Sequence, residues 1–555
     1  MVSFHKLSFA AAMLAALCIH DAYAAGKTVC TITVNSADER ETFRRYLPPD
    51  QYDFVELVER GRPDWLASAC HAGVRCDVLL ISGHFDGGDE FYSDRVDARE
   101  SLPVSEMERV SCSDSCPGLF SQLKEVYLFG CNTLNAEKAS TATAEVTRAL
   151  LRSGHSAADA ERIAQLLDAQ HADSNRDKMR MIFKDVPVIY GFSSKAPLGA
   201  NARPILERYF KSGATPPIGS GHPSAALLGL FAASSMTVAS GATDADPQAA
   251  YRRDACAFAD DRLSATERAR FVHALLDRDI AQVRMLLDPI EKYAASLDAE
   301  RRTPDVSKAL DDVAADDGAK ARWLVLARDA EPAVRARMIA VAARFGWLSP
   351  AERQAELALL IRDVYARNEV ATADVDLACM LNGDHVLDAA LADFRRGAAN
   401  ARDVAHAAIL ACAGSPGARL QIIDALTGAS DRDVEFAQVY LRHHPIADVA
   451  ELRAVALRVA AMRDVAAQIR ALDTLARHGV SDRESLESLT RLFPVAKTVN
   501  VQRAIAGILI RSDYEAIARP ELVRALREKR LKSPDGQDLI DVLIRRMQAS
   551  LGRAA

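Results

Sequence analysis

Aromatic residues are scarce in this chain of 555, at 6%. Ala, Leu, Arg and Asp dominate instead, most heavily after residue 250, and that bias favours helices. No strand signal occurs beyond residue 250. Neither sign of charge is in large excess. The formal net charge of −7 is small for this length and gives no reason to invoke a nucleic acid. Past the amino terminus, no apolar run reaches the roughly 20 residues that a membrane span needs. The nearest candidate, residues 225–239, is shorter and carries two Ser and a Thr, so it reads as a buried helix or a linker that packs. No stable membrane span is expected. No standard zinc-ribbon or knuckle spacing is present, and neither a metal nor a cofactor is expected. What is present is globular: 49% hydrophobic and 26% charged residues, enough for large cores in about two to four domains.

The first residues read as an export signal. Lys6 opens it, residues 7–19 form an apolar core, and Ala22-Tyr23-Ala24 is a small-x-small cleavage site. The bland alternative is a buried first helix. Leu17 stands before Cys18 where a lipid anchor requires a small residue, so no lipid anchor is expected. Cleavage after Ala24 places the mature chain in the periplasm or outside the cell and removes Cys18 from the ten cysteines. The nine left are an odd number, so at least one is free or intermolecular, and Cys131 is a candidate. Cys70/Cys76 and Cys112/Cys116 form two close pairs, with His71 beside the first and Cys30 upstream. Export favours disulfides here; zinc and free thiols are the alternatives, and spacing does not reveal who pairs with whom.

Residues 28–34, 52–58, 78–82, 126–129 and 186–192 read as strands from their apolar and β-branched runs. Helical stretches fall between and after them, at 36–47, 63–72, 103–110, 137–152, 157–169 and 203–211. Strands alternating with helices predict a doubly wound, mostly parallel sheet. The expected organisation is a signal peptide (1–24), an α/β domain (25–212), a linker with a possible packed helix (213–250) and an α-helical domain (251–555). In the last, helical patterns recur at 332–345, 351–367, 404–412, 465–478 and 501–512.

Residues 76–135 carry the chemistry. One apolar run, Val78-Leu79-Leu80-Ile81-Ser82-Gly83, ends at His84; another, Val126-Tyr127-Leu128-Phe129-Gly130, ends at Cys131. On neighbouring parallel strands both residues reach the carboxyl edge of the sheet, where open α/β sheets bind their ligands. A cysteine nucleophile needs its thiolate, and an imidazole beside it takes the proton and later returns it to the leaving amine. Backbone N–H groups of Cys131 and of the turn 83–88 are candidate oxyanion donors. Taken singly, a cysteine closing an apolar strand is more often a core residue, and a disulfide through Cys131 is a second rival. Together, 47 residues apart with one crossover between them, the two point to a nucleophile–base pair. Asp86, Asp89, Glu90 and Asp94 after His84 read as a solvated loop, or as an acidic rim selecting a basic side chain. Basic positions such as Arg362, Arg395, Arg396 and 527–532 read as solvated helix faces.

The elements Leu79-Leu80-Ile81-Ser82-Gly83-His84 and Tyr127-Leu128-Phe129-Gly130-Cys131-Asn132-Thr133 resemble those of caspase-like cysteine peptidases of the caspase–hemoglobinase fold, nearest to CHAT domains. The resemblance covers residues 27–211. It implies His84 as general base and acid, Cys131 as nucleophile, and Gly83, Phe85, Gly130 and Gly191 around the oxyanion site or specificity pocket. The chain departs from the family at Phe85, where a Gly usually follows the catalytic His. Further on, Asp329-Ala330-Glu331-Pro332-Ala333-Val334-Arg335 resembles a HEAT-type repeat, with echoes at 431–434, 462–465 and 499–503. Helix pairs at such spacings stack into solenoids that present extended binding surfaces, although a plain helical bundle would look similar. The expectation is an exported cysteine peptidase acting on a protein or peptide, with a protein partner held by the repeats. The alternative is a non-catalytic scaffold built from the same two parts.

Overall fold

Among the described residues of the first 240, the computed structural model has eight strands: β1 (Lys27–Thr33), β2 (Tyr52–Glu56), β3 (Val78–Ser82), β4 (Glu90–Tyr92), β5 (Ser101–Pro103), β6 (Glu125–Phe129), β7 (Val188–Phe192) and β8 (Met236–Ala239). The structure describes residues 26–554 except 58–64, 86–88, 95–99, 114–115, 117, 139–142, 153, 172–173, 214–215, 261, 279, 298–302 and 398–400. The export signal expected at 1–24 therefore lies outside the described residues. Two compact units divide the chain, Met1–Leu326 and Ala327–Ala555.

In the first unit six strands form one sheet in the order β2-β1-β3-β6-β7-β8. The first five run parallel, and β8 pairs antiparallel with β7. Every residue of β3, β6 and β7 is buried, as expected of strands covered on both faces. Alternation sorts their side chains between two cores. Leu79, Ile81, Val126, Leu128 and Ile189 face one, with Leu66, Met107 and Ile182 from three covering helices. Val78, Leu80, Tyr127, Phe129 and Tyr190 face the other, with Phe43, Leu206 and Tyr209 from the helices Asp38–Tyr46 and Arg203–Lys211. The first of these two helices starts on Asp38, Glu39 and Glu41 and ends on Arg44 and Arg45, both complementary to its dipole. Pro48 and Pro49 follow, and neither can extend it.

The α/β architecture and its mostly parallel sheet are as the sequence implied, but the edge differs. Residues 225–239 were expected as one buried helix or a packed linker. The helix stops at Leu230, Ser235 takes a left-handed conformation at φ 55°, and the chain reverses into β8. Without β8 the backbone groups along that side of β7 would lack sheet partners, a tertiary demand that no local signal in 225–239 announces. The short β4–β5 pair and the helix Asn175–Ile182 also went unread.

Eight cysteines stand at disulfide distance, which fits an oxidising compartment: Cys30–Cys76, Cys70–Cys116, Cys112–Cys256 and Cys379–Cys412. Neither close pair in the sequence bonds within itself. Cys70 lies on one helix and Cys116 just past another, and their Cα atoms are 5.0 Å apart. The zinc alternative for Cys70, Cys76, Cys112 and Cys116 fails, since all four sulfurs are engaged.

The described residues of the second unit form helices joined by turns and contain no strand. Its helices stack at alternate positions: Asp431–His443 on Val465–His478, that on Val499–Arg511, and that on Leu539–Ala554. A second row places Val449–Val459 on Arg483–Leu492. Asp448, Asp464, Asp482 and Thr498 cap successive helix starts with their side chains. Ion pairs such as Arg419–Glu451 at 2.7 Å and Arg453–Asp482 at 3.0 Å link neighbours along the stack. No helix among the described residues is long and apolar enough to cross a membrane.

Candidate active site

β3 and β6 are neighbours whose register pairs Ser82 with Phe129. The Gly83 N–H donates to the Phe129 carbonyl at 3.0 Å, so pairing continues one residue past the strand. His84 and Cys131 each stand two residues beyond the Ser82–Phe129 pair. They therefore leave the carboxyl edge of the sheet at the same level, on strands spaced roughly 4.8 Å apart as in any sheet. The continuous register from Val78–Glu125 to Ser82–Phe129 sets this placement.

His84 is held by its backbone and its ring. It exchanges two hydrogen bonds of 2.9 Å with Tyr92, and the two rings stack at 5.4 Å. Nε2 lies 3.4 Å from Asp94 Oδ2 and has no aligned hydrogen bond, so the contact is an ion-pair approach. Asp94 is 68% exposed at its side chain, which makes it a weak orienting group. Asp89 leads into β4, which Glu90 opens, and Asp86 lies outside the described residues.

Cys131 opens a turn pinned against the end of β7. Asn132, left-handed at φ 59°, donates its N–H to Ser194 O at 2.7 Å. Thr133 Oγ1 donates to Gly130 O at 3.1 Å and accepts from the Phe192 N–H at 3.0 Å. Cys131 is half-buried, and its sulfur accepts a hydrogen bond from the Ala196 N–H at 3.3 Å. Among the described residues Cys131 is the one free cysteine. No family model, curated protein or solved structure matches the chain.

The expected glycines serve packing. A Cβ on Gly130 would sit 2.9 Å from Phe85 Cβ and 3.0 Å from Gly83 O. One on Gly191 would meet Thr133 Oγ1 at 2.7 Å and Leu134 Cγ at 2.8 Å, directly under the Cys131 turn. Gly83, with its N–H committed to Phe129 O, packs on Val34. Phe85 is fully buried, 4.6 Å from Phe91 in ring separation, so its side chain belongs to the core rather than to a cleft. Gly191→Ala should lower stability by about 1–3 kcal/mol, the cost of overpacking, as a shift in the denaturant midpoint.

Glu39 lies beneath this edge with no exposed surface. Oε2 accepts from Ser82 Oγ at 3.0 Å and Oε1 from the Gly199 N–H at 2.6 Å. Burial raises its pKa above the ordinary 4.5, and the Gly199 and Ser82 hydrogen bonds only partly oppose that. A carboxyl held above its unfolded value stabilises the fold below about pH 4.5. It loses that contribution as pH climbs through the folded value. Glu39→Gln should therefore gain stability relative to the parent between pH 4 and 7, read from denaturant midpoints across that range.

His273, Asp277 and Asp316 are the described side chains grouped closely enough to hold a metal. Each is already partnered: His273 Nε2 meets Asp316 at 3.0 Å, Asp316 accepts the Ala319 N–H at 2.8 Å, and Arg322 binds Asp277 at 3.0 Å. Helix capping and ion pairing account for the group. The sequence reads Asp94 as part of a solvated loop or an acidic rim, and it gives no sign of the role of Glu39 or of the Ala196 N–H. Only spatial neighbours distinguish those roles.

Proposed function

We propose that the first unit is a caspase-like cysteine peptidase domain, and that the later helices are HEAT-like repeats that hold a protein partner or substrate. The observation that carries the reading is the free Cys131 level with His84, in a chain whose other described cysteines are all paired. An oxidising compartment pairs thiols that merely fill space, and one spared at a sheet edge is suited to chemistry. The mostly parallel six-stranded sheet suits an α/β peptidase domain of this kind. The disulfides, with the export signal expected from the sequence, favour a periplasmic or secreted enzyme.

On this reading His84 serves Cys131 as its base, although no hydrogen bond joins the two side chains in the structure. His84 takes the proton from Cys131 Sγ, and the sulfur's electron pair forms a bond to the scissile carbonyl carbon. The carbonyl electrons move to oxygen and then return, breaking the C–N bond as the imidazolium gives its proton to the amine. Water, deprotonated by His84, displaces Sγ and releases the acid. Labelling mature protein with an acyloxymethyl ketone should modify Cys131, identified by peptide mass spectrometry. An unreactive Cys131 would end the enzyme reading.

Phe85 favours a second reading. Buried where the family has Gly, it suits a domain that keeps the fold without the activity. Such a scaffold would bind its partner unchanged after Cys131→Ala and lose it on removal of the residues after 250.

A further inference from the structure

We propose that Glu39 is a positioning residue for the Cys131 site, its carboxyl pinning the 193–199 loop so that the Ala196 N–H meets the sulfur. The bland reading of Glu39 is an acid in the first turn of a helix, favoured by the dipole. Such acids stay near water, whereas Glu39 has no exposed surface. Its carboxyl instead joins two elements distant in sequence, the Ser82 hydroxyl at the end of β3 and the Gly199 N–H.

Both ends of the 193–199 loop are thereby fixed. At the first, the Ser193 N–H donates to Ser235 O at 3.1 Å, and the Ser194 and Ser235 hydroxyls meet at 2.8 Å. At the second stands Glu39. Between them the Ala196 N–H reaches Cys131 Sγ at 3.3 Å. Gly199 suits its anchor: its φ is +56°, and a Cβ there would come within 2.9 Å of Ser36 Oγ. The charged groups near the anchor are few. Asp38, on the same helix, faces Arg203 of the following helix at 3.7 Å, while β3 offers only the Ser82 hydroxyl. A carboxamide keeps the Oε1 acceptor for Gly199, so position rather than charge is what the loop requires.

The consequence for catalysis rests on Cys131 being the nucleophile; the pinning itself does not. Hydrogen–deuterium exchange on the full chain reads the loop directly. In Glu39→Ala, exchange across 193–199 should rise roughly tenfold or more, as expected when a buried donor loses its acceptor. Iodoacetamide labelling of Cys131 should change with it by about threefold or more, and Glu39→Gln should restore both to within about twofold of the parent. If Glu39→Ala does not fold, Glu39→Asp takes its place: the shorter chain withdraws the carboxyl from Gly199 and should loosen the same segment. Unchanged exchange in 193–199, or a Gln variant as loose as the Ala variant, overturns the proposal. A parent Cys131 inert to iodoacetamide defeats the peptidase reading alone and leaves the exchange result to judge the loop.

Discussion

Cys131→Ala should abolish peptide cleavage, and His84→Ala should slow it by about 10²- to 10⁴-fold, the range for loss of a general acid–base. That loss corresponds to roughly 3–5 kcal/mol of transition-state stabilisation. In the proposed mechanism the effect is large because one imidazole serves twice, removing the thiol proton and protonating the leaving amine. The double variant should be no slower than Cys131→Ala, since the proposed mechanism uses the two side chains as one unit. Asp94→Asn is the internal contrast. Its side chain is 68% exposed, and an exposed pair is worth about 0.2–1 kcal/mol, so the rate should fall less than about sixfold. Rates with a fluorogenic peptide library settle all three. A His84→Ala protein cleaving at the parent rate would remove His84 from the mechanism.

Replacing Cys30 and Cys76 together by Ala should cost about 4 kcal/mol, the loop-closure entropy of the 46-residue segment between them. Small domains are stable by about 5–15 kcal/mol in all, so this one bond carries a large share of the unit. Both sulfurs are fully buried and join β1 to the segment entering β3, so losing them loosens the strand pair that leads to His84. Chemical denaturation without reductant should show the lower midpoint, and the parent in dithiothreitol should move toward the variant. Cys131→Ala should stay within about 0.5 kcal/mol of the parent, because no cross-link is lost. Two kinds of cysteine are thus separable: one set moves stability, and Cys131 moves activity. A Cys131 variant as destabilised as the Cys30/Cys76 variant would argue for a structural role.

Much of the α/β unit was legible because its strands are short, continuous apolar runs. Val78-Leu79-Leu80-Ile81 and Val126-Tyr127-Leu128-Phe129 announce burial on both faces wherever the chain places them, and His84 and Cys131 stand out as the reactive residues that end them. The helical repetition after residue 250 was legible for the same local reason: period, caps and composition agree. β8 was not. Ala, Leu and Phe in residues 225–239 fit a helix as well as a strand, and only the open side of β7 decides for the strand at 236–239.

The cysteine pairing shows the same division. Spacing sets Cys70 near Cys76 and Cys112 near Cys116 in the sequence but leaves the pairing open, and the packed helices and strands bring together partners 46 and 144 residues apart. The sequence by itself determined which segments become buried strands and helices, and which two side chains close the central strands, because those depend on local pattern. The tertiary structure alone decided the register that levels His84 with Cys131, the burial of Phe85 and Glu39, and the Ala196 N–H against the sulfur. Those depend on contacts between segments up to 160 residues apart, where no local pattern reaches.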